Sequence, residues 1–258
     1  MSTIDPIAFK RIQRRSQATF KRANFAYLRC QRQLFSRLKA MRVNQNAVTV
    51  CGVRDAEAED QLEQLMPDTK LEFILDEADL QQVKSSSCQV IVINLIFSVS
   101  DIETIFSLAL SKLTVGGVLV FALLGPLTLQ ELKQAMGKPH HQHVCAFYDM
   151  HDIGDSLVRV GFDAPVMENA PWTVRYSNLD RLVEDLRDAG CSNPLQSRPR
   201  HLLTANWWSR IMDRYPADDS GKYHVTLDFV YGHAWKVAPK QTIRHDEVQI
   251  PIDTIQRR

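Results

Sequence analysis

Two continuous apolar runs, QVIVINLIF (Gln89–Phe97) and GGVLVFALLG (Gly116–Gly125), constrain this chain more than any other feature. A strand with one face in water alternates apolar and polar residues, whereas a run without alternation must be covered on both faces, as in the parallel sheets of α/β proteins. Two shorter β-rich runs, VTVCGV (Val48–Val53) and LEFIL (Leu71–Leu75), flank an acidic helical stretch from Ala56 to Met66, and a further helix is expected over 101–113. Strand, helix, strand implies parallel pairing by right-handed crossovers. An α/β fold with an open sheet follows. The second half has another rhythm, with helices expected over 128–136, 151–160, Leu179–Asp188 and 205–214, the third stopped by Gly190. Val166–Tyr176 and the alternating run YHVTLDFVYGHAW (Tyr223–Trp235) are read as strands, the latter antiparallel to a neighbour. Residues 236–258 are expected to form an edge strand and a tail.

With 45% hydrophobic and 24% charged residues, the composition excludes disordered and fibrous classes. The longest apolar run, Val115–Pro126, is broken by glycines and falls short of the roughly 20 residues that a bilayer requires. No membrane span is expected. The net charge of +1 argues against a generic nucleic-acid binder, but it hides an imbalance. The first 42 residues hold eleven basic residues and one acid, a net +10, and the other 216 carry −9. From Asn24 to Met41, Phe25, Leu28, Leu34, Phe35, Leu38 and Met41 make one stripe of an amphipathic helix whose other face is rich in arginine. That segment has three readings: a docking surface for an acidic partner, an organelle leader, or a solvated helix face. The five cysteines are scattered, odd in number and never in a Cys-x-x-Cys pair, which favours reduced thiols and a cytoplasmic setting.

Open α/β sheets bind ligands at the carboxyl ends of their strands, so the turn after the first strand, Cys51-Gly52-Val53-Arg54-Asp55, is the place for a nucleotide-like cofactor. Such a turn wants several glycines for close backbone approach, and here there is one, Gly52. His140, His141 and His143 cluster near Cys145, but with no second ligand group they are not assigned a metal. Trp207 and Trp208 are expected to pack, and His151 and Asp152 to cap or pack a helix start.

The segments VIVINLIF, SKLTVGGVLVFALLGPLTLQEL, FYDMHDIGDSLVRVGFDAPVM, YSNLDRLVEDLRDAGCSN and YHVTLDFVYGHAW resemble successive blocks of the class I S-adenosylmethionine-dependent methyltransferases. Among these they most resemble the malonyl-acyl-carrier-protein O-methyltransferases of biotin synthesis, with complex I assembly factors of the same fold as near relatives. The resemblance runs from about Phe20 to Trp235. It implies a Rossmann-like class I methyltransferase sheet with an N-terminal helical cap and an α+β lid insertion. The parts would be a basic cap (1–46), a truncated core (47–136), a lid and acceptor region (137–222), and a final strand with its tail (223–258).

The resemblance also implies S-adenosylmethionine as cofactor and an acyl carrier protein, or another acidic protein, as partner of the basic N-terminus. The family's glycine-rich first motif falls on Val48–Asp55, where only Gly52 remains, Thr49 or a neighbour replaces the acid, and Val53 and Arg54 would point at the methionine moiety. Only thirteen residues separate LEFIL from QVIVINLIF, one strand-helix unit fewer than in the family. Asp76 is the ribose acid if the following unit is lost, or Glu77 and Asp79 are the adenine-side acids if the preceding one is. Asn94 and Leu95 keep part of a Ser-Asn-Leu-x-x-x-Trp pattern, with Ile93 and Val99 replacing its ends, and Phe20 stands where the family has a tyrosine. The cofactor candidates are thus Gly52, Asp76, Asp79 and Asn94. Arg198 and Arg200, in the region that covers the acceptor site in relatives, suit a substrate carboxylate. No catalytic side chain is named, because an ionised carboxylate needs no base. A catalytically inactive relative that serves as a binding or assembly module is the alternative reading.

Overall fold

A computed structural model describes residues 4–95, 102–137, 143–198 and 204–238. The chain opens with α1 (Pro6–Ser16), which begins where Asp5 accepts from the amides of Ile7 and Ala8 and Pro6 supplies a preset first-turn φ. A short 3-10 turn, Phe20–Arg22, leads to α2 (Phe25–Ala40). The core follows as β1 (Ala47–Cys51), α3 (Ala56–Leu65), β2 (Lys70–Ile74), α4 (Glu77–Gln82), β3 (Cys88–Asn94), α5 (Ile102–Lys112) and β4 (Leu113–Leu124). Then come α6 (Gln130–Met136), α7 (Met150–Val160), β5 (Asp163–Tyr176), α8 (Leu179–Asp188), α9 (Ala205–Arg214) and β6 (Tyr223–Trp235).

The six strands form one sheet in the order β2-β1-β3-β4-β6-β5. β2, β1, β3 and β4 run parallel, and β6 runs antiparallel to both β4 and β5. Both apolar runs are interior strands, which is why they lack alternation. On β4, Val118, Val120 and Ala122 face a core shared with α2 and α3, while Leu119 and Phe121 face another shared with α5 and α7. A third cluster joins α6, α8 and α9 beside the start of β6. The tail beyond 238 lies outside the described residues.

Several expectations need refining. The sequence pattern predicts neither α1 nor α4, and α7 is capped by Asp149, which accepts from the His151 amide, so His151 and Asp152 are exposed first-turn residues instead. The stretch assigned to the lid divides: β5 pairs with β6 along thirteen residues of sheet and α7 packs beneath it, leaving 143–149, α8 and α9 as cover. The outer strand lying against β1 is Lys70–Ile74, and Asp76 stands two residues past its end.

Asp218, in the turn before β6, accepts from the Ser220 hydroxyl and the Ser220 and Lys222 amides, and meets His224 Nε2 at 2.7 Å. These bonds, Ser220's hydroxyl foremost, hold its carboxyl well below the usual 3.8. A carboxyl with a depressed folded pKa adds stability above the unfolded value and loses it as pH falls through the folded one. Stability to urea is therefore expected to decline from about pH 4 downward, and Asp218→Asn to flatten that decline; equal slopes in both proteins would refute the role.

Candidate functional site

The sheet order reverses direction between β1 and β3, so the crevice between their carboxyl ends is where this topology accepts ligands. Gly52 leaves β1 at φ 100°, a left-handed turn that suits glycine, and its amide donates to Ile74 O at 2.9 Å. Its carbonyl accepts from the hydroxyl of Tyr27 on α2. Tyr27 is buried, meets the Phe20 ring edge-on at 5.4 Å, and has its phenol pushed well above the usual value by desolvation. Asn94, at the end of β3, is wholly buried. Its Nδ2 donates to Gln31 Oε1 at 3.4 Å, and Gln31 Nε2 donates to Ala58 O at 2.9 Å, tying α2 to β3 and α3. Asn94 Oδ1 has no partner among the described residues. Leu95 follows at φ 47°, a left-handed conformation that costs a branched residue of order 1–3 kcal/mol.

Arg54 leaves the turn toward the cap. Its guanidinium donates to Ala189 O at 2.7 Å and Ser16 Oγ at 2.9 Å and lies 4.3 Å over the Phe20 ring. Burial lowers its pKa, since charge is harder to hold away from water.

The acids of the β2 end are engaged locally. Asp76 Oδ1 caps α4, accepting from the amides of Ala78 and Asp79, and Asp79 Oδ2 accepts from Leu75 N at 3.0 Å. Glu77 beside them has its carboxyl raised, first by burial and then by the charge of Asp76. Asn94 thus ends β3, and Gly52 and Asp76 stand just past the ends of its neighbours β1 and β2. Arg198 is elsewhere: its Nη1 donates to Asp5 Oδ2 at 2.9 Å and to Leu195 O at 2.8 Å, stitching the start of α1 to the cover. Arg200, His140 and His141 lie outside the described residues. His143 meets Trp207 with ring centres 5.0 Å apart and planes tilted by 45°, and Trp208 Nε1 donates to Asp180 Oδ1 at 2.8 Å, joining α9 to α8.

A cavity of about 800 Å³ lies under this cover. Its floor includes Leu95, Leu123 and Leu124 at the ends of β3 and β4, and its roof includes Leu186 of α8, Trp207 of α9 and Leu132 of α6. A smaller aromatic cavity of about 80 Å³ lies below the cap, walled by Phe20, Tyr27 and Phe229. The two share Leu95, Leu124, Leu186, Cys191 and Leu227. Among the described residues no metal-ligating cluster occurs, no helix is long and apolar enough to cross a membrane, and all five cysteines are free.

Along 246 residues the chain is 30% identical to malonyl-(acyl-carrier protein) O-methyltransferase 1 of Coxiella burnetii, a match covering 88% of this chain and 87% of that one. The chain belongs to the malonyl-acyl-carrier-protein O-methyltransferase family. A family member from Gallionella capsiferriformans is 41% identical over 126 residues, a match covering 48% of this chain and 43% of the relative. No family model matches the chain. Among solved structures, a Bacillus halodurans protein described as a methyltransferase aligns over 80% of this chain and all of its own length, with a TM-score of 0.51 and 11% identity. That likeness concerns the fold alone, a class I methyltransferase sheet.

Tyr27 and Gln31 bond to the candidate residues Gly52 and Asn94, and the apolar stripe passes over both. Their signal was present in the spacing: Tyr27, Gln31, Leu34 and Leu38 recur at four, three and four residues, so two polar side chains ride the buried face of α2.

Proposed function

We propose that this protein is a carboxyl O-methyltransferase acting on a malonyl thioester carried by an acyl carrier protein in the cytoplasm, with S-adenosylmethionine as methyl donor. The observation that carries the reading is near full-length similarity to the Coxiella burnetii enzyme, on a chain whose strand ends open into one large apolar cavity. Two features support the fit of such a donor at the switch-point crevice. Gly52 turns there without a Cβ, and Asn94 Oδ1 is a buried acceptor with no partner among the described residues. When bound, the donor supplies a methyl group on a positively charged sulfur. Gly52 and Asn94 would hold it in the crevice, with Asp76 on the ribose side and Asp79 behind it.

The cavity walls exclude water from the acyl end and orient it, and orientation supplies most of the acceleration because the attacking carboxylate is already ionised. Arg198 would receive that carboxylate at the cover by exchanging Asp5 for the ligand, and Arg200 is the second arginine proposed for it. The exposed Lys10, Arg11, Arg14, Arg15, Lys21 and Arg22 of the cap suit an acidic carrier, whose encounter they would speed.

Calorimetric titration with S-adenosylhomocysteine should give micromolar binding, and labelled donor should methylate malonyl-acyl carrier protein in a cap-dependent, salt-sensitive manner. No binding at millimolar ligand would sink the transferase reading and leave a carrier-binding module on the same fold.

A further inference from the structure

The start of the chain forms part of the wall of the larger cavity. Ile4 bridges Leu195 of the cover in antiparallel fashion, Asp5 N donates to Pro194 O at 2.8 Å, and Arg198 Nη1 donates to Asp5 Oδ2 at 2.9 Å. Ile4, Phe9, Pro194 and Leu195 all line the cavity, so two short segments meet in its wall along a seam. The other walls are held more firmly. The strand ends belong to the sheet, and α6, α8 and α9 are packed together by a buried apolar cluster. Ile4, Asp5 and Arg198, by contrast, are only half-buried, and a partly exposed ion pair adds little to stability. A seam of few, partly exposed bonds is where a fold opens most readily. Asp5 is also the one acid among the first 42 residues, and the exposed basic residues of α1 begin just beyond it with Lys10 and Arg11.

We propose that Ile4 and Asp5 form a strap that closes the larger cavity against the cover and parts from it to admit a carrier-borne acyl chain; the identity of that guest rests on the transferase reading. An apolar chain tethered to a protein enters endwise through a wall, and this seam is the wall's weakest line. The trigger is electrostatic. Carboxylates of an acidic carrier settling on α1 compete with Asp5 for Arg198 and repel the Asp5 charge at short range. Asp5 Oδ1 stays on the amides of Ile7 and Ala8, so α1 keeps its cap while the strap loses its ion pair. Release also leaves Arg198 unpaired, as its proposed part in receiving a carboxylate requires. When the carrier departs, the pair re-forms and the strap closes again.

The test locks the seam in the full chain. Antiparallel bridge partners sit close enough for a disulfide, so Ile4→Cys with Leu195→Cys is closed with glutathione disulfide and opened with dithiothreitol, each single variant serving as control for the five native thiols. Stopped-flow fluorescence follows entry of anilinonaphthalene sulfonate into the cavity, labelled donor follows transfer to malonyl-acyl carrier protein, and thermal unfolding shows that each protein is folded. Locking should slow both by about tenfold or more, and dithiothreitol should restore both. Probe entry or transfer at the unlocked rate in the locked protein would overturn the strap. If the lock slows the probe but no form transfers, wild type included, the strap stands and the transferase reading falls. Asp5→Asn, which keeps a good helix cap without the charge, should speed probe entry about two- to fivefold, the weight of a partly exposed ion pair. An unchanged rate in that variant would refute the latch even if the cysteine pair fails to fold.

Discussion

Alanine at Phe121 is expected to lower the unfolding free energy by about 3–5 kcal/mol, the usual cost of removing a buried ring. Phe121 is fully buried in mid-β4, opposite Ile93 of β3 and Gly232 of β6, with its ring centre 5.4 Å from that of Phe106 on α5. The ring lies flat over Gly232: a Cβ built there would fall 2.8 Å from Cε1 and Cε2 and closer still to Cζ. Glycine weakens a strand, so its presence in mid-β6 is explained by the ring that needs the space. Gly232→Ala should accordingly cost about 1–3 kcal/mol by overpacking, because the ring has no solvent side into which to retreat. The two sites touch, so their effects should not add. Phe121→Leu combined with Gly232→Ala should be more stable than the sum of the single changes by about 0.5–3 kcal/mol. Urea denaturation of the four proteins measures this, and strict additivity would refute the packing account.

That pair also shows what a single sequence does and does not disclose. The continuous apolar character of β3 and β4 announces interior strands, because only a strand covered on both faces can dispense with polar residues. β6 was legible by its alternation, and α8 by Gly190 at its stop. α4 was not, since six residues hold too little periodicity, although Asp76 capping a turn that buries Leu80 is a start signal in retrospect. The membership of β5 in the sheet was equally hidden. Its exposed edge and Pro171 make a weak strand pattern, and pairing with β6 reaches across more than forty residues. Gly52, Asp76 and Asn94 stand at or just past strand ends because the topology alone puts them there. What the residues bind to each other was not legible. Arg198 looked free for a substrate until its pairing with Asp5, nearly two hundred residues away, was visible. Arg54 looked like an obstruction in a glycine turn, and only the folded chain shows it bonded to Ser16 of the cap and to Ala189.

Tryptophan at Leu186 is expected to reduce affinity for the acyl-carrier substrate by close to two decades while leaving the fold intact. Leu186 lies on α8 and borders both cavities where they meet, alongside Leu95 and Leu124 of the strand ends. The helix itself is anchored by other residues, Leu179 and Leu182, which are buried against α6 and α9 and do not line the larger cavity. A larger ring at 186 extends into existing space, and because Leu186 also packs against that cluster the unfolding free energy should fall by about 1–3 kcal/mol at most. The ligand, by contrast, loses the room. Denying it about 100 Å² of apolar contact at ~25 cal/mol per Å² costs about 2.5 kcal/mol, close to a hundredfold in affinity. Leu186→Ala should widen the same junction and change affinity little, which separates blockage from loss of a contact. Titration of malonyl-acyl carrier protein into the three proteins decides it. Full-strength binding by the tryptophan variant would mean that the acyl arm does not enter the cavity and that recognition rests on the basic cap alone.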